Sequence, residues 1–150
     1  AIIIGDGTKK EEFMALSESY GVSDRVRFTG LLPTSDDVRA ILLKADVFVF
    51  PTKAEGLPRG ILEAMAIGMP VLSSPVGGIP EILSEECLFD PSDAESYANK
   101  LCEFIDTPSI MDRLSQDNYK KAQEFKNEIL QNRRNEFYKK LASLAIKRTV

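Results

Sequence analysis

Residues 46–74 read DVFVFPTKAEGLPRGILEAMAIGMPVLSS. The stretch opens on a branched and aromatic run, Asp46–Phe50, stopped by Pro51-Thr52. A loop carrying Gly56 and Pro58 leads into helical apolar spacing from Pro58 to Ile67, closed by Gly68. A second apolar run, Pro70–Ser74, follows at once. Two uninterrupted apolar strands joined through one helix form the pattern of a parallel β–α–β unit. Within it sit two carboxylates, Glu55 and Glu63. From Gly60 to Pro80 the only charged residue is Glu63. A lone carboxylate in so apolar a run is expected to be partly buried and to need a partner. The candidates are Arg59, four residues back on the same helix, a distant residue, or a ligand.

The pattern repeats on both sides. Ala1–Ile4 is an apolar run expected to be covered on both faces. The turn Gly5-Asp6-Gly7-Thr8 follows, then a helix over Lys9–Tyr20 with Phe13, Leu16 and Tyr20 on one face and Gly21 closing it. Val26-Arg27-Phe28 reads as a second strand. Thr34 or Ser35 caps a helix whose apolar face is Val38, Ile41, Leu42 and Ala45. After residue 74, Val76-Gly77-Gly78-Ile79-Pro80 leads into a short helix around Glu81–Leu83, and Cys87-Leu88-Phe89 reads as a fifth strand. From Asp93 the spacing is helical to the end, with a further helix starting at Pro108 and a last one marked by Phe125, Ile129, Phe137, Leu141 and Leu144/Ala145.

Five alternations of strand and helix predict an α/β fold, a doubly wound, mostly parallel Rossmann-like sheet in an α/β/α sandwich with a helical C-terminal tail. The reading is one domain over 1–150, with a core of about 1–107 and a tail of about 108–150. In such folds ligands bind beyond the carboxyl ends of the strands, where the loops at 5–8, 29–33, 51–60 and 74–80 are expected to meet. The opening strand at residue 1 reads as part of a longer protein.

Composition narrows the chemistry. The chain has 150 residues, no His and two cysteines, Cys87 and Cys102, so imidazole catalysis and His-based zinc sites are excluded. The cysteines have no metal spacing, are expected in the core, and point to a reducing cytoplasm. No run approaches the length of a membrane span. Residues 119–150 carry a net +6 and residues 1–118 a net −10. That asymmetry fits either a solvated helix face or a surface for an acidic partner or anionic membrane. Gly5-Asp6-Gly7 resembles the start of a dinucleotide fingerprint, but Lys10 stands where the third glycine belongs. The start of the helix after Pro58 is an anion site in the making, with vicinal hydroxyls of a sugar or ribose suiting the flanking glutamates.

The motifs together carry a family resemblance. Val47-Phe48-Val49-Phe50-Pro51-Thr52, Glu55-Gly56-Leu57-Pro58, Glu63-Ala64-Met65-Ala66, Gly68, Pro70-Val71 and Gly77-Gly78-Ile79-Pro80-Glu81 resemble the retaining glycosyltransferases of family 4. The likeness is to the C-terminal, donor-binding half of their two-domain GT-B fold, and it runs from Ala1 to about Leu101. It implies that Glu55 is the catalytic-site carboxylate holding donor-sugar hydroxyls and that Glu63 holds the ribose. Amides around Arg59, Gly60 and Ile61 would meet the diphosphate. Gly30, Leu31 and Leu32 would lie against the base, with Gly5 and Gly7 in the nearby turn. The implied reaction moves a sugar from a UDP- or GDP-linked donor to a glycan or lipid acceptor, as in bacterial polysaccharide or glycolipid synthesis, with no cofactor and no metal.

Implied partners are the nucleotide sugar, an N-terminal acceptor-binding domain not present in this sequence and, at the inner face of the membrane, a lipid surface. Nucleic acid is not among them. Self-association through the last helix is a further expectation. The family's diphosphate-clamping Arg and Lys normally precede the strand with which this sequence opens, and Arg59 is the local candidate for positive charge. A non-catalytic nucleotide-binding scaffold, a nucleotide-sugar epimerase half and a dehydrogenase are the rival readings.

Overall fold

The computed structural model describes residues 1–147, with side chains through Leu144. It divides into two compact units, Ala1–Ala45 and residues from Asp46 onward. Residues 148–150, included in the expected tail and in its +6 charge, lie outside the described residues.

The first unit holds β1 (Ile2–Ile3), α1 (Lys10–Ser19), β2 (Arg27–Phe28) and α2 (Ser35–Leu42). β1 and β2 pair in parallel, with Ile2 opposite Arg27 and Ile3 opposite Phe28. α1 ends as its sequence predicts. Gly21, at φ +65°, donates to Glu18 O, and Val22 donates to Ser17 O, which closes the last carbonyls in a Schellman motif. α2 begins on Thr34, whose hydroxyl accepts from the Asp37 amide while Asp37 Oδ2 accepts from the Thr34 amide. Its inward face is the predicted one, with Leu42 buried and Val38, Ile41 and Ala45 half-buried.

Two expectations fail in this unit. Ile2, Ile3 and Ile4 are exposed rather than covered on both faces, and Phe13 and Leu16 of α1, with Tyr20 at its C-cap, are exposed as well. The only buried residue of α1 is Ser17. Apolar periodicity marks which face favours cover; the cover itself must come from other residues, and this unit does not supply it.

The second unit contains β3 (Phe48–Phe50), α3 (Arg59–Ala66), β4 (Val71–Ser73), α4 (Ala94–Asp106), α5 (Pro108–Gln123) and α6 (Asn127–Lys147). β3 and β4 run parallel in the register Phe48–Val71, Val49–Leu72, Phe50–Ser73, so residues 46–74 form the β–α–β unit read from the sequence. The expected fifth strand is reduced to one parallel bridge, Ser73 to Leu88, because Glu85–Cys87 takes up a 3₁₀ turn. Ile79–Glu81 is likewise a 3₁₀ turn in place of the short helix expected at 81–83. The chain is therefore α/β, with parallel strand pairs and predominantly helical connections.

The core joins Leu72 of β4 to Cys87, Tyr97 and Phe104 of α4, and Leu114 of α5. α5, assigned to the tail by the sequence reading, thus reaches the core. It also anchors α3. The buried Asn118 donates from Nδ2 to Met69 O at 2.9 Å. At Gly68 (φ +74°) an added Cβ would stand 2.9 Å from Ser115 Oγ. Cys87 is buried, and burial pushes its thiol up to about 11. Cys102 is exposed, against the expectation of a core residue, because it is one position past Leu101 and off the inward stripe of α4. α6 presents Leu130, Phe137, Tyr138, Leu141 and Leu144 to solvent.

Candidate functional site

α3 begins on Pro58, which is its N-cap (φ −71°, ψ 122°) and not its first helical residue as predicted. The difference matters chemically. As the first helical residue a proline would take one amide out of the first turn, whereas at the cap it leaves the three amides of that turn in place. Arg59, Gly60 and Ile61 therefore keep their N–H groups without intrahelical acceptors, and among the described residues no side chain caps them. The partial positive charge of the helix end adds to that set of donors. Pro58 is buried and Ile61 fully so, which fixes the start of the helix, while a Cβ added at Gly60 would meet the Phe48 ring at 3.6 Å.

Glu63 differs from expectation. It is exposed, with 47% of its side chain accessible, not partly buried. The helical period explains why. Ile61, Ala64 and Met65 take the inward face of α3, and Glu63 falls between them on the outward one. An apolar linear context is not a buried one. The Arg59 pairing weighed from the sequence is present, Nη2 to Oε1 at 3.8 Å, though Arg59 itself is 88% exposed.

Glu55 is exposed in the loop between β3 and α3. Among the described residues its carboxylate has no ion pair and no hydrogen bond. The loop main chain, in contrast, is held firmly. Ser73 Oγ donates to Phe50 O at 2.7 Å and Ser74 Oγ to Thr52 O. Gly78 N–H donates to Gly56 O at 2.6 Å. Gly77 takes φ +56°, and a Cβ there would sit 1.9 Å from Glu55 O. Gly77 and Gly78 read as a loop leading into a short helix; their closest contacts are with the Glu55 loop.

In the first unit, Gly5 (φ +131°) and Gly30 (φ +69°) are joined by Gly5 N–H to Gly30 O at 3.0 Å. Lys10 pairs with Asp6 Oδ1 at 3.0 Å, and a Cβ on Gly30 would meet the Lys10 ammonium at 3.8 Å. Gly7 is exposed and Leu32 half-buried. The glycines thus serve a turn, and Lys10, which breaks the dinucleotide fingerprint, holds that turn together.

Away from these residues, a shallow depression of about 280 Å³ is lined by Glu86, Phe89, Ser96, Asn99, Lys100 and Glu103. Its charges satisfy one another. Arg113 meets Glu86 at 2.8 Å and Lys100 meets Glu103 at 3.0 Å. The hydrogen bond from Arg113 holds the Glu86 carboxyl below its ordinary value against the opposing effect of burial. This is a structural ion network.

A family model described as glycosyl transferases group 1 matches residues 1–121. The chain belongs to that family. Among its relatives is WcaL of Salmonella typhimurium, whose name assigns it to colanic acid biosynthesis as a glycosyltransferase. It is 33% identical over 139 residues, which cover 85% of this chain and 34% of WcaL. The group 1 chain thus spans about a third of that relative's length. A sucrose-phosphate synthase from Thermosynechococcus elongatus shares its fold at a TM-score of 0.80 and 25% identity, over 95% of this chain and 38% of the other. Anabaena Alr3699/HepE, solved in complex with UDP, has the same TM-score at 22% identity, covering 95% and 40%. This group 1 chain has the α/β architecture of one Rossmann-like half of a GT-B glycosyltransferase.

Proposed function

We propose that this group 1 domain binds the nucleoside-diphosphate sugar for a retaining, family 4 type of glycosyl transfer. The observation that carries the reading is the uncapped N-terminus of α3, where the amides of Arg59, Gly60 and Ile61 stand between two exposed carboxylates. An anionic diphosphate accepts from those amides. Glu63 takes two ribose hydroxyls on its two oxygens, and Glu55 takes hydroxyls of the transferred sugar. Negative charge gathering on the departing diphosphate meets donors already oriented toward it, which is how such a site lowers the barrier without a metal. Arg59, extended into solvent, adds positive charge. Gly5, Gly7, Gly30 and Leu32 are proposed as nucleotide-facing residues of the first unit.

UDP or GDP is the proposed carrier. Support comes from the UDP complex of Alr3699/HepE. The acceptor is a glycan or lipid in polysaccharide or glycolipid synthesis, held by a separate acceptor-binding domain. The 150-residue chain binds donor and turns over nothing by itself. A cytoplasmic setting at the inner membrane face fits α6, where basic Arg133, Arg134, Lys139 and Lys140 accompany exposed apolar side chains. No described helix is long and apolar enough to cross a membrane.

Thermal-shift titration with UDP, GDP and ADP, then UDP-glucose and GDP-mannose, tests the reading. One base is expected to raise the Tm, and Glu63→Ala to abolish the shift. The absence of a shift with every nucleotide refutes donor binding and favours a scaffold.

A further inference from the structure

Glu55 poses a problem of position. Its carboxylate is exposed and unpaired among the described residues, on a loop with no buried side chain between Pro51 and Leu57. A loop that nothing holds samples many positions, and a carboxylate on it would be poorly placed for any ligand. Yet each end of this loop is fixed, and always through its main chain. Ser73, the last residue of β4, donates its hydroxyl to the carbonyl of Phe50 at the end of β3, and Ser74 donates to that of Thr52 just beyond the strands. Further along, the Gly78 amide donates to Gly56 O, and Leu57 packs over Gly78. At Gly77 the approach is so close that any side chain is excluded: its Cβ would lie 1.9 Å from Glu55 O, 2.6 Å from Gly56 O and 2.9 Å from Glu55 C. All three are backbone atoms, which cannot swing aside as a flexible side chain could.

We propose that Gly77 and Gly78, with Ser74, are positioning residues for the sugar end of the donor. They set where the Glu55 carboxylate stands by holding the peptide groups of residues 55–56. The proposal rests on Glu55 being the carboxylate that binds the sugar. It assigns the Gly-Gly pair a task at the neighbouring loop, separate from the short turn it leads into. A methyl at Gly77 forces the Glu55 peptide to move by about an ångström or more, a displacement that can cost about a hundredfold at a reacting site. The start of α3 has its own anchor in the buried side chains of Pro58 and Ile61, so nucleotide binding is expected to survive.

The test compares affinity for UDP-glucose with that for UDP, with GDP-mannose and GDP as a parallel pair, by calorimetry on the full chain. In wild type the sugar adds affinity, and Glu55→Ala removes that gain. Gly77→Ala is expected to weaken UDP-glucose binding at least tenfold while UDP changes less than threefold. In a Glu55→Ala background Gly77→Ala is expected to cost nothing more, because both act through one carboxylate. Should Gly77→Ala fail to fold, Ser74→Ala, which adds no volume, is expected to lower the gain three- to tenfold and to speed amide exchange at Gly78.

Retention of the gain in Gly77→Ala, or in Ser74→Ala where that variant stands in, overturns the positioning role. So does a loss that adds fully to that of Glu55→Ala. If Glu55→Ala keeps the gain, or wild type shows none with either pair, the reading of Glu55 falls and the positioning role with it.

Discussion

Replacing Glu63 by Gln separates its two partners, Arg59 and a bound ribose. The variant keeps size and shape and removes one charge. The Arg59 pair is long at 3.8 Å, and its guanidinium is 88% exposed. Exposed pairs spaced i,i+4 contribute about 0.3–0.5 kcal/mol. For a chain of this size that corresponds to about 1–2 °C in Tm. Glu63 therefore does little for stability. A ribose diol donating two hydrogen bonds to a carboxylate is another matter, since bonds to charged groups contribute about 1.5–3 kcal/mol each. Losing half of such an interaction exceeds 1.4 kcal/mol, a factor of about ten in Kd. Glu63→Gln is thus expected to shift Tm by no more than about 2 °C in the absence of ligand and to weaken UDP or GDP binding at least tenfold. Differential scanning fluorimetry and calorimetric titration on the same preparations read both quantities. A Tm loss of about 5 °C or more with nucleotide affinity unchanged would refute the reasoning and return Glu63 to a structural role.

Two further outcomes follow from the second unit. Asn118→Ala leaves Met69 O buried without its donor and is expected to cost about 1–3 kcal/mol, a Tm several degrees lower by calorimetry. An unchanged Tm would show that α3 has another anchor. Glu86 governs an acid limb. Its folded pKa lies below the ordinary 4.5, so its stabilisation is complete above about pH 4.5 and is lost as pH falls through the lowered folded value. Urea midpoints between pH 7 and 3 are expected to fall less steeply for Glu86→Gln than for wild type. Parallel curves would show that other carboxylates dominate.

The β–α–β unit was legible because its signals are local. Branched runs, a helical period and Gly68 with its φ of +74° all act within a few residues of where they stand. The same holds for the Thr34 cap and the Gly21 close. What stayed hidden is set by distance in space. Nothing near Gly77 in the sequence announces that residues 55–56 return to touch it. The apolar stretch from Gly60 to Pro80 suggested burial for Glu63, but a helix sorts neighbours by angle and places Glu63 outside. Ile2–Ile4 and Phe13 show the converse, since apolar residues state a demand for cover that their own unit leaves unmet. Pro58 lies on the boundary between the two cases. Its restriction to a narrow φ marks the helix start, while the choice between cap and first turn depends on ψ.

The unequal cysteines also give the chain a chemical handle. Burial pushes the Cys87 thiol up to about 11 and shields its sulfur, so it stays protonated and unreactive at pH 7. Cys102 is open to solvent on α4. A maleimide dye or spin label therefore attaches at one defined sulfur without any substitution. The unmodified sequence can report by fluorescence or electron resonance on how α4 behaves when nucleotide is added.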